Sequence, residues 1–161
     1  MRSSMRSTVT WFIVAGLSDL FIQVSAAQAV RDAGAAQKNK PVLITRLYTG
    51  PDGQTHAEEI EAKFAPGATT DVFKMLSISG AELHRSPAGR VSDWHNAPRR
   101  QYVITLSGHG ELEVSGGKKI SVGPGHIELV EDTTGKGHIT RVVGTEERVT
   151  LTLPVSGPAG R

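Results

Sequence analysis

From Gln101 to Val155 the chain is a succession of short alternating segments, each cut off by a turn, and few folds accept that pattern. "QYVITL" ends at "SGHGE", "ELEVS" at "GGK", "KISV" at "GPGH", "IELVE" at "DTTGKG" and "HITRVV" at "GTEE"; "RVTLTLPV" closes the series. Alternation with β-branched residues marks strands, and glycine supplies the turns. Strands this short and this closely spaced form a sandwich or a barrel. Upstream, "PVLITRLY" runs into the Pro-Asp-Gly turn of "TGPDGQ", and "DVFKMLSIS" alternates loosely. "AEEIEAKF" suits a short helix or an edge strand equally. No helical period is sustained over three turns after residue 30, and no internal repeat is present. The reading is an all-β domain with one closed core over 41–155. At 161 residues the chain suits a single domain, large enough to fold without staples.

Arg2 and Arg6 precede an apolar run, Val9 to Val24, and "SAAQA" then offers an Ala-x-Ala site ending at Ala29. This is the layout of an export signal over 1–29, with a periplasmic or secreted destination. Asp19 interrupts the run and argues against a stable membrane span, since a carboxylate there costs about 2.5–3.5 kcal/mol. Residues 30–40 read as a linker and 156–161 as a loose tail. Net charge is +2 without a basic stripe, so nucleic acid is not an expected partner. There is no cysteine, which excludes disulfides, thiolate metal sites and cysteine nucleophiles. No Gly-x-Ser-x-Gly elbow or phosphate-cradling loop occurs.

Strand parity decides which side chains can meet. His95, Ala97 and Gln101 share a parity with Val103 and Thr105, and His138 opens a later strand. The stretch "GRVSDWHNAPRRQYVITLSG" resembles the first motif of the cupin superfamily. Gly89, five residues, His95, Gln101 in the carboxylate position, six residues and Gly108 follow that motif's spacing, with Ala97 where its second histidine stands. "VGPGHIELVEDTTGKGH" resembles the lead into the second motif, with His138 at its histidine and Val142 in place of its asparagine. The resemblance covers roughly 72–154. It implies a small jelly-roll β-barrel, often a homodimer, with a divalent metal (Mn, Fe, Zn or Ni; Cu in some members) on His95, Gln101 and His138.

Two imidazoles and a neutral amide oxygen lack compensating negative charge and leave positions open for a chelating ligand. Loss of the donor at Ala97 is equally compatible with no metal. Arg99 is a candidate clamp for a substrate carboxylate. His84 and His56 are candidates for an extra ligand or an acid/base. His109 and His126 fall in turns. Arg99, His84 and Tyr102 are the candidate substrate contacts, although Tyr102, like Trp94, has the opposite parity to His95.

Three functions are compatible with these residues. One is a metal-dependent lyase, isomerase or dioxygenase acting on a small polar molecule. The second is a metal-free cupin binding a sugar or organic acid, with an epimerase-like variant using a histidine base and Tyr48 or Tyr102 as acid. The third is an interaction module of the envelope that uses the fold as a scaffold.

Overall fold

A computed structural model describes residues 40–157; the expected signal segment, nearly all of the 30–40 linker and residues 158–161 of the tail lie outside them. Ten strands follow in order: β1 (Leu43–Thr49), β2 (Thr55–Glu61), β3 (Glu82–Ser86), β4 (Val91–His95), β5 (Gln101–Ser107), β6 (His109–Glu113), β7 (Lys119–Val122), β8 (Ile127–Val130), β9 (His138–Val143) and β10 (Arg148–Pro154). They form a six-stranded sheet, β2-β1-β8-β5-β10-β3, and a four-stranded sheet, β4-β9-β6-β7. The fold is all-β, as expected. The strands divide into two facing sheets, as in a jelly roll, because β5 and β6 meet at a corner at Gly108 and enter different ladders.

"AEEIEAKF" resolves in favour of a strand. From Thr55 to Glu61 it pairs residue for residue with β1, from Thr49↔Thr55 to Leu43↔Glu61. Tertiary pairing overrides a composition that suits a helix. "DVFKMLSIS" forms no regular strand; it makes only the bridges Ala65↔Val72 and Ile78↔Val155. Its Phe73 and Met75 pack onto the outer face of the larger sheet, over Ile44, Tyr102 and Leu129.

The register separates the two faces of that sheet. Leu83, Leu151, Ile104, Ile127, Ile44 and Ile60 stand side by side, an aliphatic row across six strands. One position along lies a largely polar row of Glu82, Thr152, Val103, Glu128, Thr45 and Glu59. The polar row faces the smaller sheet. Between the sheets Leu47 and Val130 pack against Leu112, Val114 and Val122, all at most 3% exposed. That apolar plug fills one end of the interlayer space and leaves the other end to polar side chains.

Just past β8, Glu131 accepts from Arg46 Nε at 2.6 Å and from Arg100 Nε at 2.8 Å. Burial alone raises the Glu131 carboxyl, but Arg100 and Arg46 outweigh it and hold the group below its ordinary 4.5. A carboxyl with a lowered folded pKa contributes stability above its unfolded value and loses it as pH falls through the folded value. Glu131→Gln is therefore expected to cost about 1–2 kcal/mol at neutral pH, given one well-covered and one half-exposed arginine partner. The gap to wild type should close as pH drops below about 4.5. Urea denaturation at pH 7 and pH 3 checks it; an equal gap at both would contradict it.

Candidate functional site

His95 ends β4, His138 begins β9, and the two residues are partners across that antiparallel pair. Their rings lie 4.5 Å apart, centroid to centroid, with planes tilted by 51°. The register slips between Ser92 and His95. A bulge of this kind re-aims a side chain next to a site. It is why Ser92 and His95, three residues apart, both face the same cavity.

The connection is held shut from both sides. Ala97 N donates to Asp132 O at 3.1 Å, and Asn96 Nδ2 donates to Thr134 O at 2.7 Å. Gly137, just before His138, has φ 77°, and a Cβ there would stand 2.1 Å from His95 O. Only glycine lets the two strands approach at this point.

Each ring is oriented through Nδ1. His95 Nδ1 lies 2.7 Å from Asp93 O, and a carbonyl only accepts, so this nitrogen carries the proton. His138 Nδ1 donates to Asp132 Oδ2 at 2.6 Å. Thr55 Oγ1 donates to the same oxygen at 3.2 Å. Asp132 is fully buried, and its other oxygen, Oδ1, has no hydrogen-bond partner. The pull of that carboxylate falls mainly on His138. Fixing Nδ1–H on both rings leaves both Nε2 atoms with a lone pair.

The cavity these rings line measures about 330 Å³. Gln101, Arg99 and His84 line it too, so five of the six residues expected as metal ligands or substrate contacts are gathered in one place. Tyr102 is the exception. It follows Gln101 on β5, so alternation sends it through the sheet; it is 3% exposed, and its hydroxyl accepts from Leu76 N at 3.3 Å. Tyr48 is also on the outer face, under Arg46. Neither tyrosine lines the cavity, which removes the tyrosine acid of the epimerase-like alternative.

His56 is away from the cavity, half-buried and 3.0 Å from Asp52. His126 Nε2 meets Thr45 Oγ1 at 3.0 Å. Trp94 is covered by Lys136, whose Nζ sits 3.9 Å from the ring centre. At the rim His84 Nε2 donates to Glu82 at 2.9 Å, and Arg99 bonds the same carboxylate. His84 foremost, with Arg99 beside it, holds the Glu82 carboxyl below its ordinary range.

Arg148 on the cavity wall, and its pairing with Glu128, escape sequence reasoning. Arg148 Nη2 donates to Glu128 Oε1 at 2.6 Å and to Thr105 Oγ1 at 2.7 Å, with the pair only 6% and 3% exposed. Burial raises the Glu128 carboxyl, and Arg148 is the strongest influence pulling it back. The signal was present in "RVTLTLPV": Arg148, Thr150 and Thr152 share one face and turn inward, while Val149, Leu151 and Leu153 turn out. Among the described residues no three His, Cys, Asp or Glu side chains are disposed to share a metal ion. Any ion here would depend on the two imidazoles plus the Gln101 amide.

No protein-family model matches the chain, and no curated protein matches it. Among solved structures it is similar to the cupin domain of Schizosaccharomyces pombe Cnp3, at 14% identity over 76% of this chain and 88% of that one, with a TM-score of 0.40. It is also similar to a cupin domain from Bordetella pertussis Tohama I, at 15% identity over 74% and 98% of the two chains, with a TM-score of 0.39. A double-stranded β-helix protein of Klebsiella pneumoniae aligns at 18% identity over 53% and 79%, with a TM-score of 0.40.

Proposed function

We propose that this domain, a jelly roll of the cupin type, holds a divalent metal ion on His95, His138 and Gln101 and acts there on a small polar molecule. The observation behind this reading is the matched orientation of the two rings. Metal-ligating histidines characteristically donate their other ring N–H to a carboxylate or a backbone carbonyl, which fixes the tautomer and raises ligand basicity. His138 does the first with Asp132 and His95 the second with Asp93. Neutral imidazoles suit Zn, Fe or Ni, and an amide oxygen completes a three-donor set with room for ligand. The donor types therefore fit such an ion. When bound, it would supply Lewis-acid polarisation of a ligand oxygen.

The chain's own residues do the rest. Asp132 and Thr55 hold His138 in its tautomer from behind. The Gly137 approach keeps β4 and β9 close enough for the rings to meet. Arg148 and Glu128 neutralise one another on the wall, so the cation does not face an uncompensated guanidinium.

Purified protein is expected to carry or take up one equivalent of Zn or Mn. His138→Ala should lower its metal affinity at least tenfold, the lower end of what loss of even a supporting residue costs. Metal analysis with a competition titration checks this. Absence of stoichiometric uptake, or an unchanged affinity in His138→Ala, would contradict it. A second reading has its own observation: Ala97, in the place of a third histidine, is 4% exposed and packed into the apolar cluster with Leu47 and Val130. On that reading the same cavity binds its small ligand without metal and without turnover.

A further inference from the structure

We infer that the ligand of this cavity is a small aliphatic carboxylate carrying further hydroxyl or keto oxygens, held at the rim by Arg90 and Arg99. The inference takes its location from the cavity just described and its chemistry from the charge and shape of the wall.

Three guanidinium groups line the cavity, those of Arg90, Arg99 and Arg148, against one carboxylate, Glu128. Glu128 is committed to Arg148, so the inner pair is closed on itself. Arg99 shares Glu82 with His84. Arg90 differs from both. Its side-chain hydrogen bond goes to Ser86 Oγ at 3.2 Å, and among the described residues no carboxylate pairs with it. An anion entering here gains a partner without displacing one. The planar fork of arginine matches a carboxylate with two parallel hydrogen bonds.

Hydroxyls follow deeper in, from Ser92, Thr140, Thr150 and Thr152, and they suit further oxygens on the ligand. No Phe, Tyr or Trp lines the wall, whose aromatic rings are the imidazoles of His84, His95 and His138. Purines, phenyl rings and stacked sugar faces therefore lack a broad platform. A volume of about 330 Å³ sits at the small end of ligand sites. Phosphate would be served by a helix N-terminus or a nest of free amides. Of the strands walling this cavity, β5, β8, β9 and β10 are paired on both sides and only β3 and β4 are edges; among the described residues no helix end points into it. A compact oxygen-rich carboxylate fits on every count.

Calorimetric titration of the full chain, once chelator-treated and once with one equivalent of Zn, tests this with malate, gluconate, inorganic phosphate and the neutral polyol erythritol. Malate or gluconate should bind the chelated protein at least tenfold more tightly than erythritol and more tightly than phosphate. Arg90→Gln, at an exposed position, and Arg99→Gln should each weaken that binding about tenfold, as expected for losing a charge-assisted hydrogen bond. Equal binding of erythritol, tighter binding of phosphate, or carboxylate affinity unmoved by Arg90→Gln overturns the inference, as does no binding. The two readings fail separately. Carboxylate binding without Zn uptake removes the metal and keeps the ligand class. Stoichiometric Zn with no carboxylate bound, or with one bound only through Zn, removes the ligand class and keeps the metal.

Discussion

Replacing Arg148 with methionine is expected to destabilise the domain by about 3–5 kcal/mol, because it strands Glu128 in the wall without its partner. Both side chains are almost wholly buried, and Arg148 also anchors Thr105 on the neighbouring strand. Stranding a buried charge is the costly event; the pair's own net contribution is small once its desolvation is counted. The double variant Arg148→Met with Glu128→Leu should therefore recover most of the loss, and it need not fall below wild type. Urea denaturation of the two single variants and the double variant measures the cycle. If the two losses simply add, the coupling is absent and the ion pair is not what holds that wall together.

Gly137→Ala is the second large effect. The left-handed backbone at φ 77° costs a residue with a Cβ about 1–2 kcal/mol by itself. The new methyl group would also stand 2.1 Å from His95 O, a backbone atom with no rotamer in which to retreat. The strands must separate, and the bulge that aims His95 lies in the part that moves. The expected outcome is a less stable protein in which metal affinity falls at least tenfold, while the apolar plug around Leu112 stays packed. Amide exchange resolved by residue separates the two. Exchange should accelerate along β4 and the start of β9 and stay slow in β6 and β7. Uniform acceleration, or unchanged metal affinity, would show that the approach of the two strands does not support the site.

Much of the sheet was legible because its punctuation is local. From Gln101 onward every strand is bounded by residues that announce a turn. The division into two sheets was not legible. It depends on pairings between distant segments, such as Leu47 with Val130 in the parallel β1–β8 contact. "AEEIEAKF" read ambiguously because its glutamates serve either structure, and only the ladder to β1 decides. At the site, alternation placed Gln101 correctly and also implied that Tyr102 faces away. The bulge before His95 leaves no trace in composition, so Ser92 could not be put on the wall by counting. Arg148, Thr150 and Thr152 were hidden by an ordinary prior. A polar face on a strand usually meets water, whereas here Phe73 and Met75 cover part of the apolar face and the polar one turns inward. Asp132 sits in a loop six residues before His138, and only the fold brings its carboxylate behind that ring.

The account stands on two neighbouring imidazoles whose Nδ1 atoms are engaged by Asp93 and Asp132, leaving both Nε2 atoms to meet an ion. Long-range ¹⁵N–¹H spectra of the histidine rings, recorded near neutral pH before and after one equivalent of Zn, read this directly. His95 and His138 are expected to show protonated Nδ1 and bare Nε2 before zinc, and their Nε2 signals should move together when it is added. The same spectra would contradict the account if either ring carried its neutral proton on Nε2, or if zinc moved His56 and His84 while leaving His95 and His138 in place.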